Sequence, residues 1–134
     1  MPAPTLSYFD PGADITAHCT TAVQAQHFAY FAAPGDTEQV VNVSNAPAED
    51  GHTPAGVAGF DQTQGGYVHV KASGVLPVVA SSDAVAGAAA YADGTTVTAE
   101  AGGTEEGSTP RPRVGTFVRP VASGDTAVIK LNLS

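Results

Sequence analysis

Hydrophobic and polar residues alternate in short bursts along this chain, and the clearest burst is Tyr67-Val68-His69-Val70-Lys71. Successive strand residues face opposite sides of a sheet, so Val68 and Val70 share one face and Tyr67, His69 and Lys71 the other. A short apolar run, Gly56 to Phe60, precedes it across the polar reversal Gln-Thr-Gln-Gly-Gly. A third run, Val75 to Ala80, follows Ala-Ser-Gly and carries Pro77, which donates no ladder hydrogen bond and therefore suits an edge or a bulge. The pattern predicts a meander of three short strands.

The same alternation recurs on both sides. From Asp14, the residues Ile15, Ala17 and Cys19 share one face and Thr16, His18 and Thr20 the other, as in a half-buried strand. Phe28 and Tyr30 alternate at the end of AVQAQHFAYF, and QVVNV (Gln39 to Val43) restores a strand after APGD. Asp93-Gly94, between Ala88–Tyr91 and Thr95–Thr98, predicts a tight hairpin. The alanines before Tyr91 favour a turn of helix near Asp83 to Gly87. VGTFV and TAVIKLNL close the chain as two more strands. TTAVQAQHFAY and SSDAVAGAAAY echo one another, each running from hydroxyl residues to a tyrosine, with their Ala-Val phrases out of step by inserted residues. The echo hints at a repeated unit, and no solenoid period accompanies it.

Composition narrows the fold class. With 134 residues, one domain is the simplest division, and 15 glycines and 10 prolines leave little room for long helices. Aromatics make up only 7%, so the core is built from small side chains. The expected architecture is mainly β: a small single-domain β-barrel or β-tulip-like body of short strands over 13–134, with residues 1–12 as an extended arm. That arm holds three prolines and the aromatics Tyr8 and Phe9.

Thirteen acidic against five basic residues give a net charge of −8, which disfavours nucleic acid and anionic membranes as partners. No apolar run reaches the length of a membrane span, and MPAPTLSYFDPG lacks the basic and apolar regions of a secretory signal. The one cationic cluster is Arg111, Arg113 and Arg119, for which two readings stay open: a local contact for an acidic partner, or solvated charge on an exposed loop. The acidic stretch Gly102 to Pro110 reads as a mobile surface excursion.

Chemistry-bearing constellations are sparse. His18, His27, His52 and His69 fall on separate segments without metal-site spacing, and no metal or other cofactor is expected. Glu49, Asp50 and Asp61 lack the regular oxygen spacing of a calcium loop. Cys19 is the single cysteine, and on a strand it faces away from His18, so the two cannot act as nucleophile and base. No glycine-flanked serine elbow, phosphate loop or dinucleotide fingerprint is present, and nothing predicts an enzyme.

The order of segments carries more than any one of them. Gly56-Val57-Ala58, Val68-His69-Val70, Gly74-Val75, Ala84-Val85, Tyr91-Ala92-Asp93-Gly94, Gly115-Thr116-Phe117-Val118, Gly124-Asp125 and Val128-Ile129-Lys130-Leu131 follow one another in an arrangement that resembles the small head decoration, or capsid cement, proteins of tailed bacteriophages, from about Phe9 to Leu133. The middle segment is similar to the trimeric lambda-type decoration proteins. The resemblance implies a non-catalytic virion protein on the capsid exterior, assembled in the host cytoplasm. Its implied partners are the major capsid protein and neighbouring copies of itself, as a homotrimer. Leu6, Tyr8, Phe9 and Pro11 would be the capsid-binding arm, and Tyr67, His69, Arg111 and Arg113 further interface residues. The loop 101–113 and the spacer 43–56 are longer than the family's usual run. A small β-barrel that binds carbohydrate or another ligand is the alternative, for which exposed aromatics such as Tyr67 and Tyr91 would be the contacts.

Overall fold

The computed structural model describes residues 14–33, 41–47, 51–103 and 109–133, and over these it is all β, with no helix. The expected arm, 1–12, and the centre of the acidic stretch lie outside the described residues. Strands β1 (Asp14–Cys19), β2 (Phe28–Phe31), β3 (Val41–Ser44), β4 (Gly56–Ala58) and β5 (Tyr67–Lys71) close a barrel in the order β1-β3-β2-β4-β5. Only β1 and β3 run parallel; the other pairs, including the closing β1–β5 pair, are antiparallel. Strands β6 (Ser73–Val79), β7 (Ala89–Asp93), β8 (Thr96–Thr98), β9 (Arg113–Phe117) and β10 (Thr126–Asn132) form a second sheet in the order β6-β10-β9-β7-β8. Its two end strands meet through one parallel bridge, Ala80 to Val97.

Two expectations are corrected. The predicted meander breaks after its second strand: β4 and β5 pair, but β6 leaves the barrel and pairs with β10, Pro77 lying opposite Val128. The chain crosses between sheets at Ala72 because Val68 and Val70 already fill the barrel while Val78 belongs to the other core. Pro77 does sit on an end strand, where its missing donor costs no ladder bond. Near Asp83 to Gly87 there is no helical turn, because Ala84 forms an antiparallel bridge with Val121 that holds the segment extended. The Asp93-Gly94 hairpin forms as predicted, with Asp93 opposite Thr96 and Gly94 at a φ of 58°.

The two sheets are copies of one unit. Pairing β1 with β5, β2 with β3, β2 with β4 and β4 with β5 is repeated by β6 with β10, β7 with β8, β7 with β9 and β9 with β10. Even the parallel β1–β3 contact has its counterpart in the Ala80–Val97 bridge. Local bonds match as well: Thr20 N–H donates to Val43 O where Ser81 N–H donates to Val97 O, and Gly65 N–H to Cys19 O where Gly124 N–H donates to Ala80 O. Val23 bridges Gln62 as Ala84 bridges Val121, and each bridge residue is followed by a turn with positive φ at Gln26, Gly65, Gly87 and Gly124. The echo between TTAVQAQHFAY and SSDAVAGAAAY is therefore a structural repeat, and it aligns without an insertion: Val23 corresponds to Ala84, not to Val85, and Tyr30 to Tyr91.

Packing joins the units into one domain. Ile15, Ala17, Cys19, Ala29, Val43, Ala58, Val68 and Val70 fill the barrel. Phe28, Tyr30 and Val57 point outward from it and enter the second core beside Val78, Val97, Val114, Phe117 and Ile129. Strands β2 and β4 are thus buried on both faces, which is why Phe28, Ala29 and Tyr30 are all buried in succession. Each such valine or phenylalanine contributes roughly 1.5–3 kcal/mol of burial before ordering costs.

Candidate functional site

The barrel offers no lumen, since its interior is occupied by the side chains just named, from Ile15 at 4% exposure to Val43 and Val70 at 0%. What the fold presents to a partner is its outer surface.

Tyr67 and His69 project from the outer face of β5 while Val68 and Val70 are buried, as the alternation predicts. The register sets His18 opposite Tyr67, and their rings meet edge to face at 5.3 Å. Phe60 meets His69 in the same manner at 6.1 Å. His18 Nδ1 also lies 3.1 Å from Asn42 Oδ1, which orients the imidazole. The result is a ridge of alternating aromatic and imidazole rings across β1, β5 and the turn after β4. Phe60 and His18 were not legible as part of it, although the outward phase of His18 was the available signal.

Arg111 and Arg113 separate in role. Arg111 Nε lies 3.5 Å from Asp93 Oδ1, one terminal nitrogen donates to Glu100 O at 3.0 Å, and its backbone N–H donates to Ala101 O at 2.7 Å. It ties the long connection to the β7–β8 hairpin, a structural duty. Arg113 is exposed on β9 and lines a groove of about 390 Å³ with Gly115, Thr116, Lys130 and Asn132. Tyr67 and His69 stand on the barrel and Arg113 on the second sheet, so the expected interface residues form two surfaces. Leu6, Tyr8, Phe9 and Pro11 lie outside the described residues.

Two carboxylates hold turns. Asp61 Oδ1 accepts the Ala25 N–H at 2.8 Å, and Asp83 Oδ1 accepts the Ser123 N–H at 2.8 Å, each carboxylate holding the turn opposite its own. Cys19 is fully buried, and desolvation pushes its thiol pKa up, while the His18 ring lies on the other face of β1. Tyr30 donates its hydroxyl to Gly94 O, pinning the barrel to the hairpin of the second unit. Burial, with the nearby Asp93 carboxylate as the smaller cause, pushes the Tyr30 phenol up to about 12. Among the described residues there is no group of three histidine, cysteine or acidic side chains placed to hold a metal ion.

No family model and no curated protein sequence matches this chain. Among solved structures, the chain is similar to the N base of the head fiber protein gp8.5 of bacteriophage phi29, with a TM-score of 0.60 at 20% identity over 89% of this chain and 92% of that one. The two proteins share a fold over most of their lengths. That neighbour is a head fiber base, not a decoration protein of the lambda type.

Proposed function

We propose that the chain is a structural protein of a bacteriophage virion, mounted on the outside of the head, where it decorates and stabilises the shell by binding, without catalysis. The observation that supports this reading is the likeness to a head fiber base over nearly the full length of both chains. A filled barrel core and polar side chains engaged in turns and inter-unit ties suit a rigid module that works through its surface. The major capsid protein is the proposed partner, with copies grouped as trimers on the shell. The arm bearing Leu6, Tyr8, Phe9 and Pro11 is the proposed anchor, because prolines reduce the entropy lost when an extended segment docks.

The test is to image particles produced with and without the gene. Density on the head exterior that disappears with the gene supports the reading, and shells that then lose resistance to heat support a cementing role. Unchanged shell stability with lost exterior density would leave a fiber base in place of a cement. A protein found in the tail, in the head interior or absent from particles would overturn the proposal.

A further inference from the structure

The duplication allows one face of the unit to be compared in two settings. In the first unit, the outer side of β2 and β4 is an interface: Phe28, Tyr30 and Val57 are buried against the second unit. The equivalent side of the second unit, across β7, β9 and β10, is not packed against another unit among the described residues, with Ala89, Tyr91 and Thr116 only half-buried at the corresponding positions. Register places Tyr91 beside Arg113, and Thr116 between Ala89 and Lys130. The chemistry has changed while the shape is kept. Where the first unit has Pro54, Val57 and Ser73, the second has Arg113, Thr116 and Asn132, and Lys71 has its counterpart in Lys130.

The resulting groove is lined by hydrogen-bond donors: a guanidinium, an ammonium, a hydroxyl and a carboxamide. Two of the chain's five basic residues stand in it, on a protein of net charge −8. Among the described residues, neither Arg113 nor Lys130 meets a carboxylate, in contrast to Arg111 with Asp93. We infer that this face docks an acidic segment of the shell protein, an inference that rests on the capsid reading above. An arginine fork and an ammonium on neighbouring strands match the carboxylates of an extended acidic peptide. The surrounding negative charge of the chain disfavours such a peptide elsewhere.

The experiment measures binding of the full chain to shells assembled from the major capsid protein encoded in the same genome, across a salt series. Arg113→Glu and Lys130→Glu should each weaken binding about tenfold and flatten its salt dependence, with Arg113→Lys retaining most of it. Arg119→Glu, the same charge change on the exposed loop after β9, should bind as the unaltered chain does. Equal loss from Arg119→Glu, or none from either groove variant, would overturn the inference. Polyglutamate titrated by NMR supplies an arm free of the shell: shifts gathered at Arg113, Thr116 and Lys130 support it, and equal shifts with inorganic phosphate at matched ionic strength refute a peptide-shaped site. If the unaltered chain never binds shells but polyglutamate still settles in the groove, the capsid reading fails and the shell protein fails as the occupant, while the groove's specificity for an acidic peptide stands.

Discussion

Replacing Tyr30 with phenylalanine removes one oxygen from the contact between the two units and should change how stability depends on pH. At neutral pH the variant loses the hydrogen bond from the Tyr30 hydroxyl to Gly94 O, worth about 0.5–1.5 kcal/mol net. Its ring still fills the second core, where Tyr30 is only 3% exposed. The phenol is held protonated in the fold, its pKa pushed up to about 12 from the ordinary 10.0. A group whose folded pKa is raised contributes its full stabilisation below the unfolded value and loses it as pH climbs through the folded one. The native chain should therefore lose roughly 1.4 kcal/mol by pH 11 and about 2.3 kcal/mol by pH 12 from this residue alone, approaching about 2.7 kcal/mol only above the folded pKa, at 1.36 kcal/mol per pH unit. The phenylalanine variant has no such loss, and all other titrations are common to both proteins. Their stabilities should cross between about pH 10 and 11, the native chain ahead below and the variant ahead above. Urea unfolding followed by circular dichroism at several pH values measures both curves. A difference that stays constant up to about pH 11.5 would refute a buried, proton-holding Tyr30.

Gly56 and Gly115 occupy equivalent places, and a β-carbon on either would come within 2.4 Å of Lys71 O or 2.0 Å of Lys130 O; alanine at either site should cost about 1–3 kcal/mol in urea unfolding. Gln26 is the one described non-glycine residue with positive φ, at 63°, and stands where the other three turns have glycine; Gln26→Gly should raise the unfolding free energy by up to about 1 kcal/mol, whereas Gly124→Ala should lower it by a similar amount. Cys19, buried with its thiol pKa pushed up, should resist a disulfide reagent at pH 8 in the folded protein and react at once in denaturant, as a timed thiol assay would show.

The sequence by itself determined where strands lie and which way many of their side chains face. The period of two at Ile15-Ala17-Cys19 and at Val68-Val70 follows from strand geometry, and the Asp93-Gly94 turn and the end-strand place of Pro77 follow from backbone chemistry at single residues. These are local constraints, legible without knowing the partner. Pairing is not local: alternation at β5 and β6 cannot say that one pairs with β1 and the other with β10, so a meander was the natural reading of three neighbouring runs. The duplication was nearly hidden because its units share few identities, such as Gly56 with Gly115, Lys71 with Lys130 and Tyr30 with Tyr91, and hydrogen-bond geometry preserves it where side chains do not. Only the tertiary structure decided that Phe28, Tyr30 and Val57 serve a second core while Tyr91, Thr116 and Arg113 at the equivalent face meet solvent, because burial depends on which unit packs against which, and that is a property of the assembled chain.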